Sequence, residues 1–403
     1  MEIEEAINNI CKNVNIEKEI IEVPLYDAYG MVCAEEVISK INVPAFPKSA
    51  MDGYAVKASD VKNATKDNPV ELKVIGELFA GDYIDFSYLQ NSAVRVMTGS
   101  YIPDGYDCVV MQENTNYGTD TVKVYAPVNA YENYCHIGEN LKSGDILCRA
   151  GDLIDEIKAS LIASAGIGSV KVVKPIKVAI IATGSELIEP GEDALNGKIY
   201  DAISYLLIGK IKKVNIPFNP FVDYTIVEDD ESTIMSEIEE RLKLYDIIIT
   251  TGGISVGKKD LVRDILNKLS TNILVSNVNI QPGTPTLVSE KDGKIILSLS
   301  GNPYAAVANF DLYFYPLLSK KTGCNLFNNE VVDAVLKSPY EKVNKRRRLV
   351  RAYYENGNVY IKENMHASSV ISNLANCNCY IDIKEDTKLN IEDTVKVRRF
   401  GGF

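Results

Sequence analysis

The sequence has no tryptophan and only two histidines, His136 and His366, in 403 residues. A structural zinc centre or a histidine-based triad therefore has little material. The eight cysteines are scattered without a CxxC pair, and Cys377-x-Cys379 is the one close couple. This is the spacing of ordinary reduced thiols, not of a disulfide framework. Positive charge is also short. The net charge of −12 argues against a general nucleic-acid or anionic-membrane binder, while leaving room for a local basic pocket. No stretch approaches about 18 apolar residues, and the opening Met1-Glu2-Ile3-Glu4-Glu5 is acidic. Neither a membrane span nor a signal peptide is expected, and the chain is expected to be cytoplasmic. Its chemistry must rest on carboxylates, hydroxyls, backbone amides and a few cations.

What is present centres on Tyr245–Leu266, YDIIITTGGISVGKKDLVRDIL. Ile247–Thr250 is a short apolar and β-branched run, which reads as a buried strand of a parallel sheet. Thr251-Gly252-Gly253 turns the chain without a Cβ in the way. After Asp260 the period changes, and Leu261, Val262, Ile265, Leu266 and Leu269 fall on one helical face. In open α/β sheets the crevice at the carboxyl ends of the strands is where ligands bind, and helix N-termini favour anions there. Thr250, Thr251 and Ser255, with the amides of Gly252, Gly253 and Gly257, would face that crevice. A tight turn without a ligand is the alternative.

The same alternation extends on both sides. Strands are expected at Val178–Ala182, Ile247–Thr250, Ile273–Val275 and Ile295–Leu299. Helices are expected at Ala202–Lys212, Asp230–Leu242, Leu261–Leu269 and Pro303–Leu318, the last with Asn302 as N-cap and Pro303 in its first turn. This predicts an α/β multidomain protein: a three-layer, doubly wound α/β domain plus small β domains and a split helical linker domain. The expected boundaries are 1–45 and 136–175 for the split linker and dimer domain, 46–135 for a β domain, 176–322 for the α/β domain and 323–403 for a C-terminal β domain. The N-terminal helix (Ile3, Ala6, Ile7, Ile10) is expected to pair with the helix over Asp155–Ala165. Asp229-Asp230 opens a helix and suits N-capping. The run Lys345-Arg346-Arg347-Arg348, with Arg351 behind it, is expected to be a solvated face.

Seven strings are collinear: SAMDGYAV (Ser49–Val56), RVMTG to VVMQE (Arg95–Glu113), TGSEL (Thr183–Leu187), GKIYD (Gly197–Asp201), TTGGISVGKKD (Thr250–Asp260), PGTP (Pro282–Pro285) and GNP (Gly301–Pro303). In that order and spacing the chain resembles the MoeA family, the molybdopterin molybdenumtransferases, related to the E domain of gephyrin. The resemblance covers nearly the whole chain. It implies an L-shaped homodimer of four-domain subunits, with the SAMDGYA segment of one subunit facing the α/β domain of the other. It also implies Mg²⁺-dependent insertion of molybdate into adenylylated molybdopterin with release of AMP, and a molybdopterin adenylyltransferase as a possible partner.

The acidic positions carried over are Asp52, Glu186, Asp229 and Asp260, with Glu186 and Asp260 as metal residues. Pterin and phosphate contacts fall on Thr183, Gly184, Ser185, Thr251, Gly252, Gly253, Ser255 and Gly257. They continue on Pro282, Gly283, Gly301, Asn302 and Pro303, and on Arg348 and Ser369 of the C-terminal domain. The chain departs from the family pattern where lysines are usual, at Asn277, Gln281 and Thr284. It also has Ser300 for a proline, Ala305 for a serine, Asn140 for an aspartate and Ala202-Ile203 for Ser/Thr-Asn. Fewer cations weaken the hold on a dianion. A divergent relative that acts as a pterin-binding or scaffold protein is therefore the alternative reading. An adenylyl transferase or nucleotide pyrophosphatase on the same pocket is a third, disfavoured by SAMDGYAV.

Overall fold

Ile247–Thr251 is a strand buried along its whole length. It lies inside a six-stranded sheet in the order Phe221–Val227, Lys177–Thr183, Ile247–Thr251, Lys294–Leu299, Leu287–Lys291 and Asn272–Ser276. The structure, a computed structural model, describes residues 1–14, 18–193, 196–214, 221–254, 261–362 and 367–401, and every count of elements refers to those residues. The first four strands are mutually parallel; Leu287–Lys291 runs against both neighbours. Side chains alternate across a strand, and the sheet uses that period. Ile247, Ile249, Ile295 and Leu297 pack with Leu207 and Ile211 of helix Ile203–Val214 and with Phe310 and Phe314 of helix Pro303–Thr322. Ile248 and Ile296 face the other way, onto Ile234 and Ile238 of helix Glu231–Leu244 and Ile265 of helix Leu261–Lys268. Helices on both faces give three layers, as the period change predicts.

Two strands went unmarked in the sequence. Phe221–Val227 is an edge strand carrying Asp223, so only one side of it is paired. Leu287–Lys291 joins its neighbour through Asp292-Gly293, both at positive φ (51° and 75°). Asp-Gly between two apolar runs is a hairpin signal, and it was there to be read.

The chain packs as two units. One comprises residues 1–35, 150–155 and 169–403; the other comprises 36–149 and 156–168. In the first unit, helix Ile3–Asn13 buries Ile3, Ala6 and Ile10. Its apolar face lies on helix Pro303–Thr322, not on the Asp155–Ala165 segment. That segment, helix Glu156–Ser164, belongs to the second unit and packs beside strand Ile146–Cys148. A single apolar stripe does not specify which partner covers it.

The C-terminal strands Val331–Leu336, Arg347–Glu355, Asn358–Tyr360, Cys379–Ile383 and Thr394–Arg399 form a sheet that Ile280–Gln281 joins. It closes on itself where Arg347–Glu355 pairs with Cys379–Ile383. The expected solvated basic face holds for Lys345 and Arg346, which are exposed, and is corrected for Arg347, Arg348 and Arg351. Arg348 and Arg351 are 5% and 1% exposed, and Arg347 is half-buried. Arg347 pairs with Asp382 (2.6 Å) and Glu4 (2.7 Å), and Arg398 bonds both acids at 2.6 Å. A strand points alternate residues inward, so a basic run crossing a barrel cannot all face water.

The second unit holds a five-stranded sheet, in the order Cys108–Met111, Gly53–Val56, Ser92–Val96, Val70–Leu78 and Thr121–Val124. Asp52 and Gly53 open one of its strands, as the turn pair predicts. A Cβ at Gly53 would meet the Val110 carbonyl oxygen at 2.0 Å. Among the described residues no helix is long and apolar enough to cross a membrane.

Candidate functional site

Three strand ends of the first unit open into one cleft of about 630 Å³. Strand Lys177–Thr183 delivers Thr183 and, a turn later, Glu186. Strand Ile247–Thr251 delivers Thr251, Gly252 and Gly253. Strand Lys294–Leu299 delivers Ser300, Gly301, Asn302 and Pro303. This is the carboxyl edge of the parallel sheet, where the fold class places ligands.

The glycines are there for close approach. At Gly252 φ is +87°, and a Cβ would sit 2.3 Å from the Thr183 carbonyl oxygen. Its amide donates to the Leu299 carbonyl at 3.1 Å, and Thr183 Oγ1 donates to the Thr251 carbonyl at 3.2 Å. Three strand ends are thereby tied into one rim. At Gly184 a Cβ would meet Glu186 Oε2 at 2.8 Å. The bare Cα is what lets the Glu186 carboxylate fold back against the turn.

The adjacent aspartates divide their roles. Asp230 is the N-cap of helix Glu231–Leu244; its carboxylate accepts from Thr233 N at 2.9 Å and from Ser232 Oγ at 2.5 Å. Those bonds, with the Ser232 hydroxyl first, hold its carboxyl below the usual range. Asp229 lines the cleft, and its amide reaches Ser185 Oγ at 3.5 Å. Ser185 offers its carbonyl to Lys198 Nζ at 2.6 Å.

Reasoning from the sequence missed Asp201, which also lines the cleft. Its Oδ1 accepts from the amides of Ile203 (3.0 Å) and Ser204 (3.1 Å), so it caps the helix that starts there. Burial pushes the neighbouring Tyr224 hydroxyl far up its scale, and the charges of Asp201 and Glu189 add to that. Aspartate one residue before a helical run, in the GKIYD string, was the available signal.

Other expected residues lie elsewhere. Ser369 does line the cleft. Pro282, Gly283 and Arg348 are not among its lining: Gly283 gives its carbonyl to Asn309 Nδ2 at 2.8 Å, and Arg348 is buried on its strand in register with Gln281. Asp52 belongs to the second unit. There its Oδ1 accepts from both the amide and the hydroxyl of Thr98, each at 2.7 Å, and the amide bond foremost lowers its pKa. Ser255, Gly257 and Asp260 lie outside the described residues.

Two of the departures have local grounds. Asn277 sits at φ +58°, a conformation asparagine tolerates better than lysine. Thr284 donates to the Ile280 carbonyl at 2.6 Å and accepts from Arg346 Nη1 at 3.1 Å.

Fold and cleft together define a multidomain α/β protein whose ligand crevice combines glycine amides with carboxylates. The chain matches three family models: the MoeA N-terminal region (domain I and II) over residues 1–166, a probable molybdopterin binding domain over 179–320, and the MoeA C-terminal region (domain IV) over 333–400. It is 31% identical over 389 residues to a molybdopterin molybdenumtransferase of Staphylococcus epidermidis, covering 96% of this chain and 92% of that one. A Staphylococcus aureus protein of the same name is 31% identical over 382 residues, with 94% and 90% covered. The crystal structure of the MoeA molybdopterin biosynthesis protein of Pyrococcus horikoshii superposes with a TM-score of 0.85 at 27% identity, each chain covered over 100%. The chain belongs to the MoeA family of molybdopterin molybdenumtransferases.

Proposed function

We propose that the protein inserts molybdate into adenylylated molybdopterin in a magnesium-dependent reaction that releases AMP, as a step of molybdenum cofactor biosynthesis. The observation that carries this reading is the charge of the cleft. Among the described residues its lining holds three carboxylates, Glu186, Asp201 and Asp229, beside the backbones of Gly252, Gly253 and Gly301. Carboxylates alone repel a phosphate; a divalent cation between them reverses that sign.

No ready-made cage of three or more His, Cys, Asp or Glu is found among the described residues. Mg²⁺ is commonly held by one or two carboxylates, waters and substrate phosphates rather than by a full protein cage. Glu186 would hold it, with Asp260 as the second ligand that the family resemblance implies; Asp229 lines the same cleft as Glu186. When bound, the ion would neutralise charge on the phosphoanhydride. The residues of the chain bind and orient: the amides of Gly253 and Gly301 donate to phosphate oxygens, and Asn302 and Ser369 supply directional hydrogen bonds, while the Gly252 amide and the Thr183 hydroxyl hold the rim together. Phosphoanhydride cleavage needs such positioning more than a protein nucleophile. A homodimer to which Asp52 contributes, and delivery of the substrate by an adenylyltransferase, belong to the same reading.

The replaced lysines at Asn277, Gln281 and Thr284 favour the second reading, a pterin-binding scaffold without transferase activity. One assay separates them. Incubation with adenylylated molybdopterin, Mg²⁺ and molybdate is expected to release AMP and to stop when Mg²⁺ is chelated. Tight binding without AMP release would leave the scaffold reading.

A further inference from the structure

Arg351 is an arginine with almost no access to water, 1% exposed, on strand Arg347–Glu355. Its guanidinium stacks on the Tyr304 ring, 3.9 Å from the centroid. Its two terminal nitrogens donate to the backbone of one loop: Nη1 to the Val370 carbonyl and Nη2 to the Ala367 carbonyl, the latter at 3.2 Å. The carbonyl of Ser368 is held as well, by the Tyr304 amide at 3.0 Å, and the Ser368 hydroxyl accepts from Asn302 Nδ2 at 2.7 Å. Tyr304 is fixed in turn by its own hydroxyl, which donates to the Leu349 carbonyl at 2.5 Å. Carbonyls 367, 368 and 370 are thus all engaged, and the residue between them is Ser369. Among the described residues, Ser369 is what the chain beyond helix Pro303–Thr322 contributes to the cleft lining.

We propose that Arg351 is a positioning residue for the cleft. By bridging two carbonyls of the 367–370 loop over the first turn of helix Pro303–Thr322, it fixes the Ser369 hydroxyl at the cleft wall and so sets ligand affinity. The planar fork of arginine is what the geometry requires: it donates in two directions while its face rests on an aromatic ring. A lysine can keep the charge and one of the bonds but not both.

The proposal rests on the functional reading above only for its ligand, so the test has two arms. The first needs no ligand. In Arg351→Lys, amide hydrogen exchange at residues 367–371 is expected to accelerate about tenfold or more, the factor that goes with one lost hydrogen bond to a charged group. The amides of strand Lys294–Leu299 should keep their wild-type rates. The second arm measures adenylylated molybdopterin. Arg351→Lys is expected to raise KM severalfold with kcat within about twofold, Ser369→Ala to do the same, and the double variant to be no worse than Ser369→Ala, because both act through one hydroxyl. Tyr304→Leu, which removes the ring under the guanidinium, should move both readouts the same way and serves if Arg351→Lys does not fold. Unchanged loop exchange in a folded variant, acceleration spread over the whole chain, or independent multiplication of the two substitutions would overturn the proposal. A wild-type protein that ignores the nucleotide would sink the functional reading, while the exchange arm still decides the positioning.

Discussion

The backbones of Gly301 and Gly252 touch at the floor of the cleft: a Cβ on Gly301 would stand 3.3 Å from the Gly252 Cα. Two glycine turns from neighbouring parallel strands pack so closely that a side chain on either presses on backbone. Gly252→Ala would add a methyl 2.3 Å from the Thr183 carbonyl oxygen at φ +87°. It is expected to cost about 1–3 kcal/mol of backbone strain, and more if the strand ends separate. Gly301→Ala should be milder, since a contact of 3.3 Å can be relieved by a small shift. Thermal unfolding of the two variants checks the order, and ligand affinity should fall further in Gly252→Ala.

The adjacent aspartates provide an internal control. Asp229→Asn removes a cleft carboxylate and is expected to lower Mg²⁺-dependent AMP release at least tenfold with the melting temperature unchanged. Asp230→Asn should leave both in place, because asparagine caps a helix about as well as aspartate. Equal activity in the two variants would remove Asp229 from the site.

Glu186→Gln tests the metal assignment without changing size. Weaker Mg²⁺ binding should appear as a higher Mg²⁺ concentration for half-maximal AMP release, partly recovered at excess Mg²⁺. A loss of rate that is independent of Mg²⁺ concentration would assign Glu186 to substrate positioning instead.

Acid stability should carry the mark of Glu4. Its hydrogen bond with Arg347, foremost among the causes, brings its pKa from 4.5 down to about 2. A carboxyl with a depressed folded value stabilises the fold fully above its unfolded value and loses that contribution as pH falls through the folded one. The contribution of Glu4 is therefore whole above about pH 5 and fades between pH 4.5 and about 2. Urea midpoints measured across the acid range, from neutral pH down to about pH 3, should fall less steeply for Glu4→Gln, which starts from a lower value at neutral pH.

Association is the remaining prediction. Sedimentation at micromolar concentration is expected to show a homodimer, and a monomer there would count against any site shared between subunits.

The sequence by itself determined the α/β layering. The buried run Ile247–Thr251, the glycines behind it and the 3.6-residue period after Asp260 are local patterns, and local patterns survive in one dimension. The N-cap at Asp230 was legible for the same reason; Asn302 holds the N-cap position of its helix but turns its side chain to Ser368 rather than to the helix amides. Glu186 and Asp229 could be proposed because each follows an expected strand or opens an expected helix. The family resemblance pointed to Asp229 rather than Asp230; local pattern alone does not separate them, since adjacent residues in a loop are equivalent until the helix axis is fixed.

Tertiary structure alone decided the rest. The partner of helix Ile3–Asn13 depended on which apolar face lay opposite, and any complementary stripe satisfies a stripe. The basic run around Arg348 reads as surface in composition. Closure of the C-terminal strands buried Arg348 and Arg351, which lie on opposite faces of their strand, and paired Arg347 with Glu4, a residue 343 positions away. The same closure laid the 367–370 loop on helix Pro303–Thr322 and brought Ser369 to the cleft. Hydrogen bonds and burial between residues so far apart follow from where strands pair, and pairing is a property of the folded whole rather than of any window of sequence.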